Sequence, residues 1–338
     1  MLNHIQHHIS LKPYNSFGIA VFCKDFIQVS DDSSLPALFE KGYFSEKFLV
    51  LGGGSNVLFT QDYPGLVVHM ASKGISHFIE GNFIYVTAKA GEVWNDFVWH
   101  CIKQGFGGLE NMALIPGTVG ASPIQNIGAY GTELMDVFYS CQAFDTQSGT
   151  FTSFQKADCQ FTYRDSIFKS KYKGRFIITS VTYKLPIHHQ VNTSYGAINA
   201  ELAQRGISNP SLQEIAEVVS HIRVSKLPDP STIGNAGSFF KNPIIERSTF
   251  LELQQQYPEI VYYEVSSDKV KLAAGWLIES CGWKGKQDGQ VAVWKNQALV
   301  LTNLGEAKGY DIYDTSSKIL NDVYQKFGIN LEREVNIL

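Results

Sequence analysis

The 338-residue chain has no CxxC pair, no apolar run long enough to span a bilayer and no excess of basic charge. Each absence excludes something. Lys and Arg total 28 against 32 Asp and Glu, a formal net charge of -4. That balance leaves no basic footprint for nucleic acid and no polybasic patch for a membrane surface. Without a long apolar segment, membrane insertion is not expected. The N-terminal MLNHIQHHISLKPYNSFGIA lacks a positive region followed by an apolar core, so it does not read as a secretory signal and a cytoplasmic location is expected. Cys23, Cys101, Cys141, Cys159 and Cys281 are scattered and odd in number, which suits reduced, buried thiols rather than a disulfide framework. His4, His7 and His8, and the pair His188 and His189, have no companion ligands at metal-site spacing, so no metal is expected.

What is present is an ordinary globular composition, 44% hydrophobic and 18% charged, over a length that suits two or three domains. The 29 glycines concentrate in loops between short apolar runs, with no repeat and no low-complexity linker. FLVLGG, NVLFT, GLVVHM, FIYVTAKAGE, SCQAFDT and RFIITSVTYKL read as strands. Trp94, Phe97, Val98 and Cys101 recur at helical spacing, with Gly105 as the stop. LQEIAEVVSHIRVSKLPDP reads as a helix ended before Pro228, and Tyr310 to Phe327 as an amphipathic helix stopped by Gly328. The closing INLEREVNIL has the composition of a strand, and the whole is α+β.

VLGGGSNVLF sets three glycines after a strand, but Val57, Leu58, Phe59 and Thr60 follow with strand preference. A dinucleotide fingerprint needs a helix there, so the Rossmann reading fails. A strand–loop–strand hairpin remains, either a tight turn without a ligand or a nest of inward N–H groups for an anion. Residues 107–134, GGLENMALIPGTVGASPIQNIGAYGTEL, form a second glycine-rich stretch with few charges. Two such loops can enclose one large nucleotide cofactor.

VLGGGSNVLF, PGTVGASPIQNIGAYG, YRDSIFK and GNAGSFFKNP, together with NSFGIA, SKLPDP, AAGWLIESCGWKG and LEREV, resemble the UDP-N-acetylenolpyruvoylglucosamine reductases of bacterial cell-wall synthesis, over nearly the whole chain and in order. The resemblance implies FAD in the fold of vanillyl-alcohol-oxidase-type flavoproteins. It implies residues 1–70, joined by 325–338, as one FAD-binding subdomain, 71–215 as a second, and 216–324 as the substrate-binding domain. It further implies NADPH as reductant, UDP-N-acetylglucosamine enolpyruvate as substrate, UDP-N-acetylmuramate as product and a monomer as the working form.

Carried over residue by residue, the resemblance implies FAD contacts from Gly52, Gly53, Gly54, Ser55 and Asn56 in the first loop. In the second it implies Pro116, Gly117, Thr118, Gly120, Ala121, Asn126, Gly128, Ala129 and Tyr130. Ser238 matches the proton donor, assisted by Lys226 as a nearby cation. Arg164 and Glu334 match the arginine and glutamate that stabilise the intermediate, a task that suits a guanidinium facing a carboxylate. Tyr195, in the longer subtype of the family, is expected to close over the substrate. Lys226, Asn242 and Gln297 are expected at the diphosphate or uridine. By themselves, Ser238 reads as a turn serine, and Arg164 and Glu334 as surface ion pairs. Two departures stand out: Ala121-Ser122 where Gly-Gly or Gly-Ala is commoner, and Arg333 where the pattern has proline. Neither removes a reacting group. An FAD-linked hydroxy-acid or alcohol oxidase on the same fold, and a non-catalytic nucleotide-sugar-binding protein, are the alternative readings.

Overall fold

The computed structural model describes residues 4–338; the first three residues of the N-terminal segment read above lie outside them. The chain divides into two compact units, the first formed by Met1–Ile9, Cys23–Gly54 and Tyr63–Arg223, the second by Ser10–Phe22, Ser55–Asp62 and Val224–Leu338.

The first unit is built on two sheets. In one, strands Phe22–Val29 and Phe48–Leu51 flank Tyr63–Met70, both parallel to it. Val29, Val67 and Val68 are fully buried, as a strand needs when apolar cover lies on its faces. The other sheet is antiparallel, ordered Thr150–Gln155, Phe138–Asp145, Phe176–Pro186, Phe83–Lys89, Ile75–Glu80. Its central strand, FIITSVTYKLP, is buried through most of its length. Thr87 and Thr182 face each other across the register and share a hydroxyl hydrogen bond of 2.8 Å.

Helix Trp94–Lys103 lays Trp94, Phe97, Val98, Cys101 and Ile102 into the core beside Ala88, Val181 and Tyr183. The i, i+3, i+4, i+7 spacing puts these on one face. The Trp94 indole N–H donates to the Met112 carbonyl at 2.9 Å, so the helix also fixes the start of the second glycine-rich stretch.

In the second unit, strands Gly234–Ser238, Val300–Asn303, Val291–Val293 and Gln287–Asp288 form an antiparallel sheet. A smaller sheet joins Ile244–Glu246, Lys269–Leu272 and Tyr262–Glu264. Helix Gly309–Phe327 buries Ile312, Thr315, Ser316, Ile319, Val323 and Phe327, and Gly328, at a φ of 68°, ends it in the left-handed conformation.

The α+β expectation holds, and three local expectations do not. The strands around GGGSN form no hairpin, because Phe48–Leu51 pairs with Tyr63–Met70 and Val57–Leu58 pairs with Asn336–Ile337. NVLFT is a strand only at Val57–Leu58, since Thr60 turns its N–H and hydroxyl onto the Leu338 carbonyl. INLEREVNIL is likewise a strand only at Asn336–Ile337, plus a single bridge between Arg333 and Phe240. Cys23, Cys101, Cys141 and Cys159 are buried free thiols, and Cys281 is half-buried.

Candidate active site

In the first unit the two glycine loops meet. A Cβ on Gly52 would lie 2.4 Å from Thr118 Oγ1, and one on Gly53 would lie 3.0 Å from the Gly117 Cα. Only glycine permits this approach. The backbone around Thr118 is held by the Trp94 N–H on the Gly117 carbonyl and the Val119 N–H on the Glu92 carbonyl. The Gly120 N–H donates to Ala90 at 2.9 Å and the Ala121 N–H to Thr118 at 3.1 Å. Among the described residues, the N–H groups of Gly53, Gly54, Gly117 and Thr118 donate to no backbone carbonyl. Thr118 Oγ1 is buried without a partner. A glycine cradle with unspent donors and an orphaned hydroxyl fits the phosphate-bearing part of a nucleotide cofactor. Ala121 lies in a short 3-10 turn and has no positive φ, so alanine is accommodated there.

Asn126 is fully buried and its side chain is spent on the loop itself. Its amide donates to Glu133 and to the Thr162 carbonyl, both at 3.0 Å, and its Oδ1 accepts the Met135 N–H. It braces the second loop from within. Gly128–Ala129 and Thr132–Glu133 form a small hairpin whose turn residues Tyr130 and Gly131 have φ of 49° and 81°.

Arg164 sits at a turn closed by reciprocal bonds between Thr162 and Asp165, with a φ of 56° that a side chain rarely adopts. Its guanidinium donates to the Gly128 carbonyl at 2.7 Å. The strained turn therefore aims the arginine at the loop expected to hold the cofactor. Tyr195 begins helix Gly196–Gln204, and its ring stands edge-on to Tyr130 at 5.2 Å. Arg223 joins this group by a hydrogen bond with Tyr130; burial pushes its guanidinium pKa down, Tyr130 opposes this, and the charge of Arg164 adds to it. Burial raises the Tyr130 hydroxyl. Sequence reading missed Arg223. Its signal was weak: an arginine three residues before Lys226 in a helical run.

In the second unit, Ser238 closes strand Gly234–Ser238 just after a bulge at Gly237, whose φ is 67°. Buried Asn235 holds that bulge: its amide donates to the Pro228 and Ile233 carbonyls and its Oδ1 accepts the Gly237 N–H. The Ser238 hydroxyl makes no hydrogen bond among the described residues. The Glu334 N–H donates to the Phe239 carbonyl at 2.8 Å, so the backbones carrying the expected proton donor and glutamate run side by side. The Asn56 amide donates to the Glu334 carbonyl at 3.3 Å, and the Asn56 carbonyl accepts from Asn336. Asn56 thus anchors the C-terminal strand.

Asn242 and Gln297 come together at the start of helix Ala274–Ser280. Asn242 Oδ1 accepts the Ala274 N–H at 2.9 Å, and Gln297 Oε1 lies 2.9 Å from where a Cβ on Gly275 would be. Lys226 is exposed at the end of helix Leu212–Lys226, with no hydrogen bond to Ser238.

The FAD binding domain family matches residues 42–154, which contain both glycine loops, and this defines an FAD-binding oxidoreductase. Residues 229–338 match the family described as UDP-N-acetylenolpyruvoylglucosamine reductase, C-terminal domain. A UDP-N-acetylenolpyruvoylglucosamine reductase of Flavobacterium johnsoniae is 50% identical over 336 residues, covering 99% of each chain. One from Pseudomonas putida is 45% identical over 334 residues, covering 98% of each. The crystal structure of the Thermus caldophilus enzyme, 21% identical, superposes with a TM-score of 0.69 over 99% of both chains and shares the fold. The chain belongs to the UDP-N-acetylenolpyruvoylglucosamine reductase family.

Proposed function

We propose that the protein reduces UDP-N-acetylglucosamine enolpyruvate to UDP-N-acetylmuramate for peptidoglycan synthesis, with NADPH as the electron source, acting as a cytoplasmic monomer. Bound FAD supplies the hydride that reaches the terminal carbon of the enolpyruvyl ether. The protein's residues supply the rest. Gly52 to Asn56 and the residues of the second loop from Pro116 to Tyr130 would hold the cofactor, with the unspent N–H groups as the donors available to its phosphates. Residues 216–324 bind the substrate.

Negative charge develops towards the substrate carboxylate as the hydride arrives. Arg164 offsets it with a fixed guanidinium, and Glu334 steadies the intermediate through a hydrogen bond. Ser238 delivers the proton to the ether-bearing carbon. A serine is a weak acid, but an enolate-like partner is basic enough to accept its proton. Tyr195 covers the substrate, and Lys226, Asn242 and Gln297 contact its diphosphate or uridine.

The observation that carries this reading is the Ser238 hydroxyl, without a hydrogen bond among the described residues and set just after a bulge beside the backbone of Glu334. The test is stopped-flow on the purified flavoprotein. NADPH should bleach the flavin, and enolpyruvyl substrate should restore its colour, whereas a hydroxy acid or alcohol should not reduce it. Ser238→Ala should slow the second phase by roughly a hundredfold or more and spare the first. Equal slowing of both phases would remove the proton-donor role.

A further inference from the structure

We infer that Arg333 is a positioning residue for Glu334, an inference that rests on the role proposed above for that carboxylate. Arg333 is bound on three sides by one helix. Its Nε donates to Ser316 Oγ at 2.8 Å, its Nη2 donates to Ser317 Oγ at 2.6 Å, and its guanidinium carbon lies 4.5 Å from the centre of the Tyr313 ring. The two hydroxyls are themselves oriented. Ser316 donates to the Tyr313 carbonyl at 2.6 Å and Ser317 to the same carbonyl at 2.9 Å. With their protons spent on Tyr313, both oxygens turn lone pairs to the guanidinium. Helix Gly309–Phe327 is anchored in turn by buried Ile312, Ile319 and Val323.

The backbone of Arg333 is the centre of the bridge that sets the register of the site. Arg333 stands opposite Phe240, with the Lys241 N–H on the Glu332 carbonyl at 2.9 Å and the Glu334 N–H on the Phe239 carbonyl at 2.8 Å. Those flanking bonds make 240/333 the pair that exchanges no hydrogen bonds of its own. In an extended segment the side chains of residues 333 and 334 leave on opposite faces. The arginine therefore pins one face of the segment to the helix, while the glutamate is presented on the other at a register fixed against Phe239 and hence Ser238. The bridge, its two flanking bonds and the Asn56 amide on the Glu334 carbonyl hold the backbone, and the three-point clamp adds the restraint on the arginine's face of the segment.

The experiment uses the FAD-loaded enzyme and separates its half-reactions by stopped-flow. Arg333→Ala is expected to slow flavin reoxidation by the enolpyruvyl substrate by roughly tenfold to a hundredfold, with FAD content and reduction by NADPH as the internal control. Arg333→Pro is expected to recover most of that rate, because a proline loses no ladder bond at this open position and stiffens φ. Replacing Ser316 and Ser317 together by alanine should reproduce the slowing with the arginine still present, and serves if Arg333→Ala does not fold. In a Glu334→Gln background, Arg333→Ala should cost nothing more, since a residue that acts only through Glu334 has nothing left to position. Wild-type reoxidation in Arg333→Ala beside a slow Glu334→Gln enzyme overturns the inference, as does a full additional loss in the double variant. A Glu334→Gln enzyme that reoxidises at the wild-type rate overturns the parent reading first, and this one with it.

Discussion

Gly53 approaches Gly117 so closely that a single added methyl would sit 3.0 Å from the Gly117 Cα. The partner is backbone, which cannot rotate away. Gly53→Val should therefore force the two loops apart, at a cost of about 1–3 kcal/mol. The expected result is a protein that purifies with little flavin. The ratio of flavin to protein absorbance measures it, and full FAD content in Gly53→Val would mean that the two loops do not jointly hold the cofactor.

Tyr195 packs its ring edge against Tyr130, so Tyr195→Phe keeps the ring contact and removes only the hydroxyl. Substrate affinity should weaken by about fivefold to tenfold, the worth of one hydrogen bond, with flavin reduction by NADPH much less affected. Titration of the enolpyruvyl substrate reads this directly. An unchanged affinity would take the Tyr195 hydroxyl out of substrate binding.

The elements legible in the sequence were those with a long period or a firm stop. Trp94, Phe97, Val98 and Cys101 mark one helix face, and Gly328 ends the last long helix at a positive φ. Short pieces were not legible, because two or three residues carry no period: Tyr262–Glu264 is exposed throughout, and Val57–Leu58 is a strand only because the distant Asn336–Ile337 pairs with it. The site shows the same division. GGGSN, PGTVG and GNAGS announce close backbone approach in their composition, and Gly53 against Gly117 and Gly234 against the Phe17 carbonyl bear that out, while Gly237 serves a positive φ in open space. Asn126, Asn235 and Asn242 are a different matter. Their amides spend themselves on the Thr162 carbonyl, the Gly237 N–H and the Ala274 N–H, partners that tertiary packing brings to them. Arg223 carries little signal in the sequence because its meaning lies in proximity to Tyr130 and Arg164, far away along the chain.

Glu110 is almost wholly buried and joins His189 at 2.5 Å while accepting the Gly108 N–H at 2.6 Å. Burial pushes its carboxyl up, but the hydrogen bond and charge of His189, together with backbone N–H donors including that of Gly108, hold it below its usual range. Beside it, the Asn111 amide reaches the Asn192 carbonyl. Both contacts tie the segment that leads to Tyr195. Glu110→Ala strips the buried Gly108 N–H and His189 of their partner, and should destabilise the protein by about 3 kcal/mol. Urea denaturation measures it; a loss within a few tenths would mean that water replaces the carboxylate at no cost.

Asp145 and Arg175 make a forked pair at the end of two adjacent strands, Oδ1 to Nε at 3.0 Å and Oδ2 to Nη2 at 2.7 Å. The hydrogen bond from Arg175 is the chief cause that lowers the Asp145 carboxyl from 3.8 to about 2, with the Gln147 N–H adding to it against the opposing effect of burial. A carboxyl whose folded pKa is depressed stabilises the fold above its unfolded pKa. That contribution is lost as pH falls, starting near 4 and complete below about 2. Arg175 keeps 35% of its side chain open to water, so screening reduces the pair to about 1 kcal/mol. Asp145→Asn should be less stable than wild type by that amount at neutral pH, and the gap should close as the pH falls towards 2. Denaturant midpoints of the two proteins, compared across that range, check it. A gap that stayed constant down to pH 2 would mean that the carboxylate's charge contributes nothing and that the asparagine merely packs less well.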